Sequence, residues 1–141
     1  MSREIEQGTW DTFEPTGYPE DITTGGLGPC TGIIIFDESS RITVGGHFPT
    51  PHSHEAENFE DMLNSAARRF SYSPLVHIYL SGCCHDQDLE DFDPQAIRLY
   101  VEMQVRKSFP EGAQIHVCWP KPGIGSVTMT LDPDTGEMFI D

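Results

Sequence analysis

Residues 33–36 read Ile-Ile-Ile-Phe, with Gly25-Gly26-Leu27-Gly28-Pro29-Cys30-Thr31-Gly32 before them and Asp37-Glu38-Ser39-Ser40 after. An apolar, β-branched run this short, bounded by turn residues on both sides, predicts a buried strand. A buried strand needs partners. The Asp-Glu-Ser-Ser-Arg segment predicts a hairpin loop, with Arg41 to Val44 as the returning strand. Gly45-Gly46 is expected to end that strand and lead into His47.

The period then changes. Phe59, Met62, Leu63, Ala66, Ala67 and Phe70 recur at the spacing of one helix face, so His54 to Phe70 predicts a helix. Ser53 is placed to cap it, with Glu55 and Glu57 in the first turn and Arg68 and Arg69 in the last. Leu75 to Leu80 predicts a strand, and the acidic segment after it a solvated loop. Pro94 fits the first turn of a second helix with Ile97, Tyr100, Val101 and Val105 on its face. Strands follow at 114–119, 126–131 and 137–140, the last two joined by the turn sequence Asp-Pro-Asp-Thr-Gly. The expected class is mixed α/β, a sheet covered by two helices. Residues 1–21 read as an irregular N-terminal arm that Trp10, Phe13 and Tyr18 could pin to the body. Residues 22–141 read as one domain.

The chain has 141 residues, 37% of them hydrophobic, which suits one domain with a real core. No apolar run approaches the ~20 residues that span a bilayer. The first thirty residues lack a basic start followed by an apolar block, so the expectation is a cytoplasmic protein with reduced thiols; release by a route without such a signal stays open. With 23 acidic and 8 basic side chains the formal charge is −15. That balance repels a nucleic-acid backbone and disfavours an anionic membrane surface. It is compatible with a basic face on a protein partner, and plain solubility accounts for it too.

The chemistry is expected at Cys30. A thiol attacks as a thiolate and needs a base, usually histidine. If the Asp37–Arg41 segment closes a hairpin, Cys30 begins one strand and His47 ends its partner, at the same end of the sheet. The bare Gly28–Gly32 turn would let backbone N–H groups reach a developing oxyanion. The bland alternative is a small buried cysteine and a surface histidine.

The segment from Thr23 to Pro51 resembles the core of the chemoreceptor glutamine deamidase family, CheD. Members carry a threonine, a Leu-Gly-Ser-Cys turn, an apolar strand, an acidic turn and a glycine-containing approach to a histidine. Here Thr24 stands six residues before Cys30, and His47 stands seventeen after it. The later order of helix, strand, helix and closing hairpin is similar as well. The resemblance implies a β-sandwich-like mixed-sheet core with two flanking helices, shared with certain bacterial toxin deamidases. It implies that Cys30 attacks the side-chain amide of a protein glutamine, His47 moves the proton and Thr24 orients His47. The substrate would be a protein presenting glutamine, such as a chemoreceptor, with no cofactor and no metal; a regulatory protein partner is also compatible. Pro29 stands where the family has serine, and the later loops differ, so a binding module without turnover stays open. Leu80-Ser81-Gly82-Cys83 matches the nucleophile motif of the toxin deamidases, but the next histidine beyond the adjacent His85 is His116, about thirty residues on. A zinc-dependent hydrolase is the further alternative, with His47, His52, His54, Cys83, Cys84 and His85 as ligands.

Overall fold

The computed structural model describes residues 2–17 and 20–141; Tyr18, proposed above as an anchor of the arm, lies outside them. The order is β1 (Ser2–Glu4), β2 (Thr9–Phe13), β3 (Asp21–Leu27), β4 (Thr31–Asp37), β5 (Thr43–Phe48), α1 (Ala56–Arg69), β6 (Val76–Gly82), α2 (Pro94–Ser108), β7 (Ala113–Val117), β8 (Val127–Asp132) and β9 (Glu137–Ile140). The strands form a five-stranded sheet in the order β2-β5-β4-β6-β7 and a four-stranded sheet in the order β1-β3-β8-β9. The β1–β3 and β6–β7 pairs are parallel, which makes both sheets mixed. The fold is mixed α/β, as expected.

β4 explains the architecture. It is the centre of the five-stranded sheet, and all seven of its residues are buried. Ile33 and Ile35 enter one core with Phe59, Met62, Leu63, Ala66, Ile97, Val101 and Val105 from the two helices. Ile34 and Phe36 enter the other, with Ile22, Leu27, Met129 and Leu131 from the four-stranded sheet. Helices thus cover one face of β4 and a second sheet the other. Hence its apolar run is continuous and does not alternate. Each such fully buried side chain contributes on the order of 1.5–3 kcal/mol.

Four expectations change. The segment read as an irregular arm forms β1 and β2, and the glycine-rich lead-in forms β3; β1 adds to the four-stranded sheet and β2 to the five-stranded one. The returning strand does not end at Gly45-Gly46 but runs through them, so His47 lies inside β5. Glycine is poor in strands by propensity, yet here side chains would collide: a Cβ on Gly45 would overlap Ile5, and one on Gly46 would overlap the Phe48 ring. Finally, α1 begins at Ala56 with Glu55 at its N-cap and no side-chain cap, so Ser53 does not cap it. α2 keeps the expected start at Pro94, and the Asp93 carboxylate accepts from Ala96 N at 3.1 Å.

The hairpin between β4 and β5 closes as expected. Asp37 accepts from the Ser39 and Ser40 amides and the Ser40 hydroxyl, and its carbonyl accepts from Arg41 N at 2.8 Å. No helix among the described residues is long and apolar enough to cross a membrane.

Gly46→Ala is expected to cost about 1–3 kcal/mol, because the added methyl overpacks the contact with Phe48 and Met62. Urea denaturation, with unchanged slope and a lower midpoint, would register it.

Candidate active site between the two sheets

The β4–β5 ladder pairs Gly32 with His47. Paired residues share a face, and residues two apart in a strand return to it. Cys30, two residues before Gly32, therefore projects on the same side as His47, into the space between the sheets, where it packs with Leu27 and Met129. From the facing sheet β3 supplies Thr24, buried at 0% exposure. Thr24 of β3 and His47 of β5 meet there, and Cys30, on the turn before β4, faces the same layer.

The hydrogen bonds fix the protons. Thr24 Oγ1 lies 2.7 Å from His47 Nδ1 and 3.0 Å from Ile5 O. A hydroxyl has one proton, and a carbonyl can only accept. Thr24 therefore donates to Ile5 O and accepts from His47 Nδ1–H. The imidazole is locked in the tautomer whose lone pair sits on Nε2. That atom is buried and has no hydrogen-bond partner among the described residues. An unpaired buried ring nitrogen is costly to keep, and it is the atom a general base needs free.

Cys30 is 4% exposed and His47 3%. Burial pushes the Cys30 thiol above its ordinary value of 9.0, and the Glu55 carboxylate raises it further. Burial pushes His47 below 6.5. The resting pair is therefore a neutral thiol and a neutral imidazole, with no hydrogen bond from sulfur to Nε2.

The Cys30 turn is held from behind. Cys83 N donates to Cys30 O at 2.8 Å, and Cys84 N donates to Gly28 O at 2.7 Å. This approach requires Gly82: it sits at φ +86°, and any Cβ would overlap Cys30 O. Arg98 of α2 clamps the same corner, donating to Cys83 O at 2.7 and 3.0 Å and to Pro120 O at 3.1 Å. In front, Gln87 spans the turn. Its carboxamide lies against Gly28 and donates to Gly125 O at 2.7 Å.

The other candidates do not assemble. Cys83 is fully buried, its thiol faces Pro94 O at 3.7 Å, and burial pushes it up to about 11 despite Arg98. It lacks a base, since His116 faces His77. His52 and His54 are exposed on the turn before α1, and His85 is engaged by Arg98 at 3.2 Å. His47 is turned to Thr24. The alternative zinc set therefore does not converge, and no group of three or more His, Cys, Asp or Glu side chains that could hold a metal ion is found among the described residues.

Sequence reasoning missed Ile5 O, Gly82, Arg98 and Gln87. A backbone carbonyl carries no residue signature. Gly82 was visible as a small-residue turn after the predicted strand, though not its contact with Cys30. Known proteins offer no further guide: no family model matches the chain, and no curated protein matches it.

Two outcomes follow from the charge states. Alkylation of Cys30 by iodoacetamide in the free protein, followed by peptide mass mapping, should be slow at neutral pH and rise with a midpoint above 9.0. His47 contributes stability that is full above pH 6.5 and is lost as pH falls through its lowered folded value, because the unfolded chain then binds the extra proton. Urea midpoints at pH 7.5 and 5.5 should accordingly differ more in wild type than in His47→Asn.

Proposed function

We propose that this protein is a cysteine amidohydrolase that converts protein glutamine side chains to glutamate, as a CheD-like deamidase. The observation that carries it is the Ile5 O–Thr24–His47 chain, which leaves Nε2 unpaired on the face that Cys30 shares. The Thr24, Cys30 and His47 spacing of the family supports the same assignment.

The chemistry closes without a cofactor. Cys30 Sγ attacks the amide carbon while Nε2 takes the thiol proton. The resulting oxyanion faces the backbone N–H groups of the turn, of which Cys30 and Thr31 are nearest in the chain. The imidazolium returns its proton to the amide nitrogen, the C–N bond breaks and ammonia leaves. Water, deprotonated by Nε2, then attacks the thioester; its proton goes through the imidazole to the departing sulfur. Glutamate and free thiol remain. Thr24 keeps Nδ1–H engaged throughout and stabilises the imidazolium by accepting the Nδ1–H hydrogen bond.

Starting from a neutral pair suits a general-base step, in which sulfur loses its proton as it attacks. It also favours a second reading. A thiol 4% exposed with a raised pKa is what a binding module that has lost turnover would keep. Turnover separates the two. The net charge of −15 supports a substrate with a basic face.

The test is ammonia release and amide-to-acid mass change on a purified chemoreceptor signalling domain and on glutamine peptides. Cys30→Ala should abolish both. Thr24→Val should lower kcat by about 10²–10⁴-fold, the range of a misoriented general base, while Thr24→Ser keeps the oxygen and most of the rate. Conversion unaffected by Cys30→Ala would refute the assignment. Binding of the receptor domain without conversion would establish the binding module.

A further inference from the structure

A second group of functional side chains lies at the opposite end of β6 from Cys30. On β6, Val76, Ile78 and Leu80 enter the helix-side core, which leaves His77 and Tyr79 on the other face. β7 runs parallel to it with Tyr79 opposite His116. The His116 ring stacks on Tyr79 at 4.5 Å between centroids and 11° between planes. Glu38, just beyond β4, reaches His77 from the hairpin. Phe36, Glu38, Arg41, His77, Tyr79, Thr135 and Gly136 line an adjacent cavity of about 150 Å³.

The proton logic is again determinate. Glu38 Oε2 lies 2.9 Å from His77 Nε2. A carboxylate only accepts, so Nε2 carries the proton. On the other side of the ring, His77 Nδ1 lies 3.2 Å from His116 Nε2. Two ring nitrogens face each other at a fixed separation, one of them oriented by a carboxylate on its far side. Metal-binding histidines are oriented in this way, by donating their second N–H to a carboxylate. The separation also fits. Two imidazole nitrogens at ~2.05 Å from one tetrahedral zinc ion stand about 3.3 Å apart.

We propose that His77 Nδ1 and His116 Nε2 form a two-imidazole clamp for a divalent transition-metal ion of the Zn²⁺ or Cu²⁺ class, with Glu38 orienting His77 and Tyr79 bracing His116. In the metal-free protein the proton shared between the two nitrogens holds the clamp at nearly its binding width. The ion displaces that proton to solvent and sits off the line between the two nitrogens, each ring pivoting until its lone pair points at the metal. With two protein ligands the remaining coordination positions belong to water or to donors of another molecule. The affinity is therefore that of a partial site, in the micromolar range, below that of a closed four-ligand centre. Cys118, two residues beyond His116, is not a ligand; its thiol points to His116 O at 3.7 Å. The clamp stands independently of the deamidase assignment.

Calorimetric titration of the wild-type protein with ZnCl₂, and electron paramagnetic resonance of its Cu²⁺ complex, test the clamp. One ion per chain is expected, with a copper signal split by two nitrogens. His116→Gln should weaken zinc binding at least ~10-fold, and Glu38→Gln, which removes only the orienting charge, by about 10–100-fold. Cys118→Ser and the double variant His52→Ala/His54→Ala should bind as wild type does. Binding that survives His116→Gln, or that disappears with the exposed pair His52 and His54, would overturn the proposal. So would a wild-type copper signal with one nitrogen or none, a result that needs no variant to fold.

Discussion

One hydrogen bond ties the two sheets together at the point where chemistry is possible. Thr24 belongs to the four-stranded sheet and His47 to the five-stranded one, and their side chains meet at 2.7 Å with both residues buried. In an interior of low dielectric this contact is stronger than in water, and equally costly to leave half-made. Its direction depends on Ile5 O, so the first strands of the chain are part of the site. β1 pairs with β3, and Ile5 N donates to Thr23 O. The carbonyl that sets the imidazole tautomer is held by the same ladder that holds Thr24. A nominal N-terminal extension thereby becomes a determinant of the proton position on His47.

Glycines make this arrangement possible. A methyl on Gly32, opposite His47, would come within 2.7 Å of both Leu27 and Met129. Gly82 lets β6 approach the Cys30 carbonyl closely enough to pin the turn. The Cys30 turn is thus held through the carbonyls of Cys30 and Gly28, which accept from Cys83 N and Cys84 N, and the hydrogen bonds to it are made by backbone alone.

How legible was this in the sequence? The Ile33–Phe36 run, the stripe from Phe59 to Phe70 and Pro94 each carry a local signal, and each fell where expected. So did the hairpin that sets Cys30 and His47 at the same end of the sheet, since a short hairpin fixes which ends meet. What failed was local propensity against tertiary context. Thr-Thr-Gly-Gly-Leu and Thr-Val-Gly-Gly-His look like turns, yet both are strands, because pairing with β8 for the first and with β2 and β4 for the second outweighs their local propensity. Ser-Arg-Glu at the start is too short and polar to register as a strand. It is one only because β3 offers a free edge. The zinc cluster left open as an alternative does not form for a related reason: spacing in sequence says nothing of facing, and His47 looks inward while His52 and His54 are exposed.

The resting charge state follows from the same burial. An imidazolium and a thiolate placed between two apolar sheets would each have to be stripped of water, at several kcal/mol per ion. A neutral thiol beside a neutral imidazole avoids that cost. Among the described residues nothing pairs with Nε2, and an acceptor buried without a partner carries a desolvation penalty. A substrate amide that brings hydrogen-bonding capacity and a polarisable carbonyl into this space would relieve the penalty as charge develops, so binding energy would be realised as the sulfur attacks rather than before. The Glu55 carboxylate works in the same sense. It disfavours a free thiolate at Cys30, and it would equally disfavour a second carboxylate nearby, which is the product of deamidation. A site built on these residues would hold the amide and expel the acid.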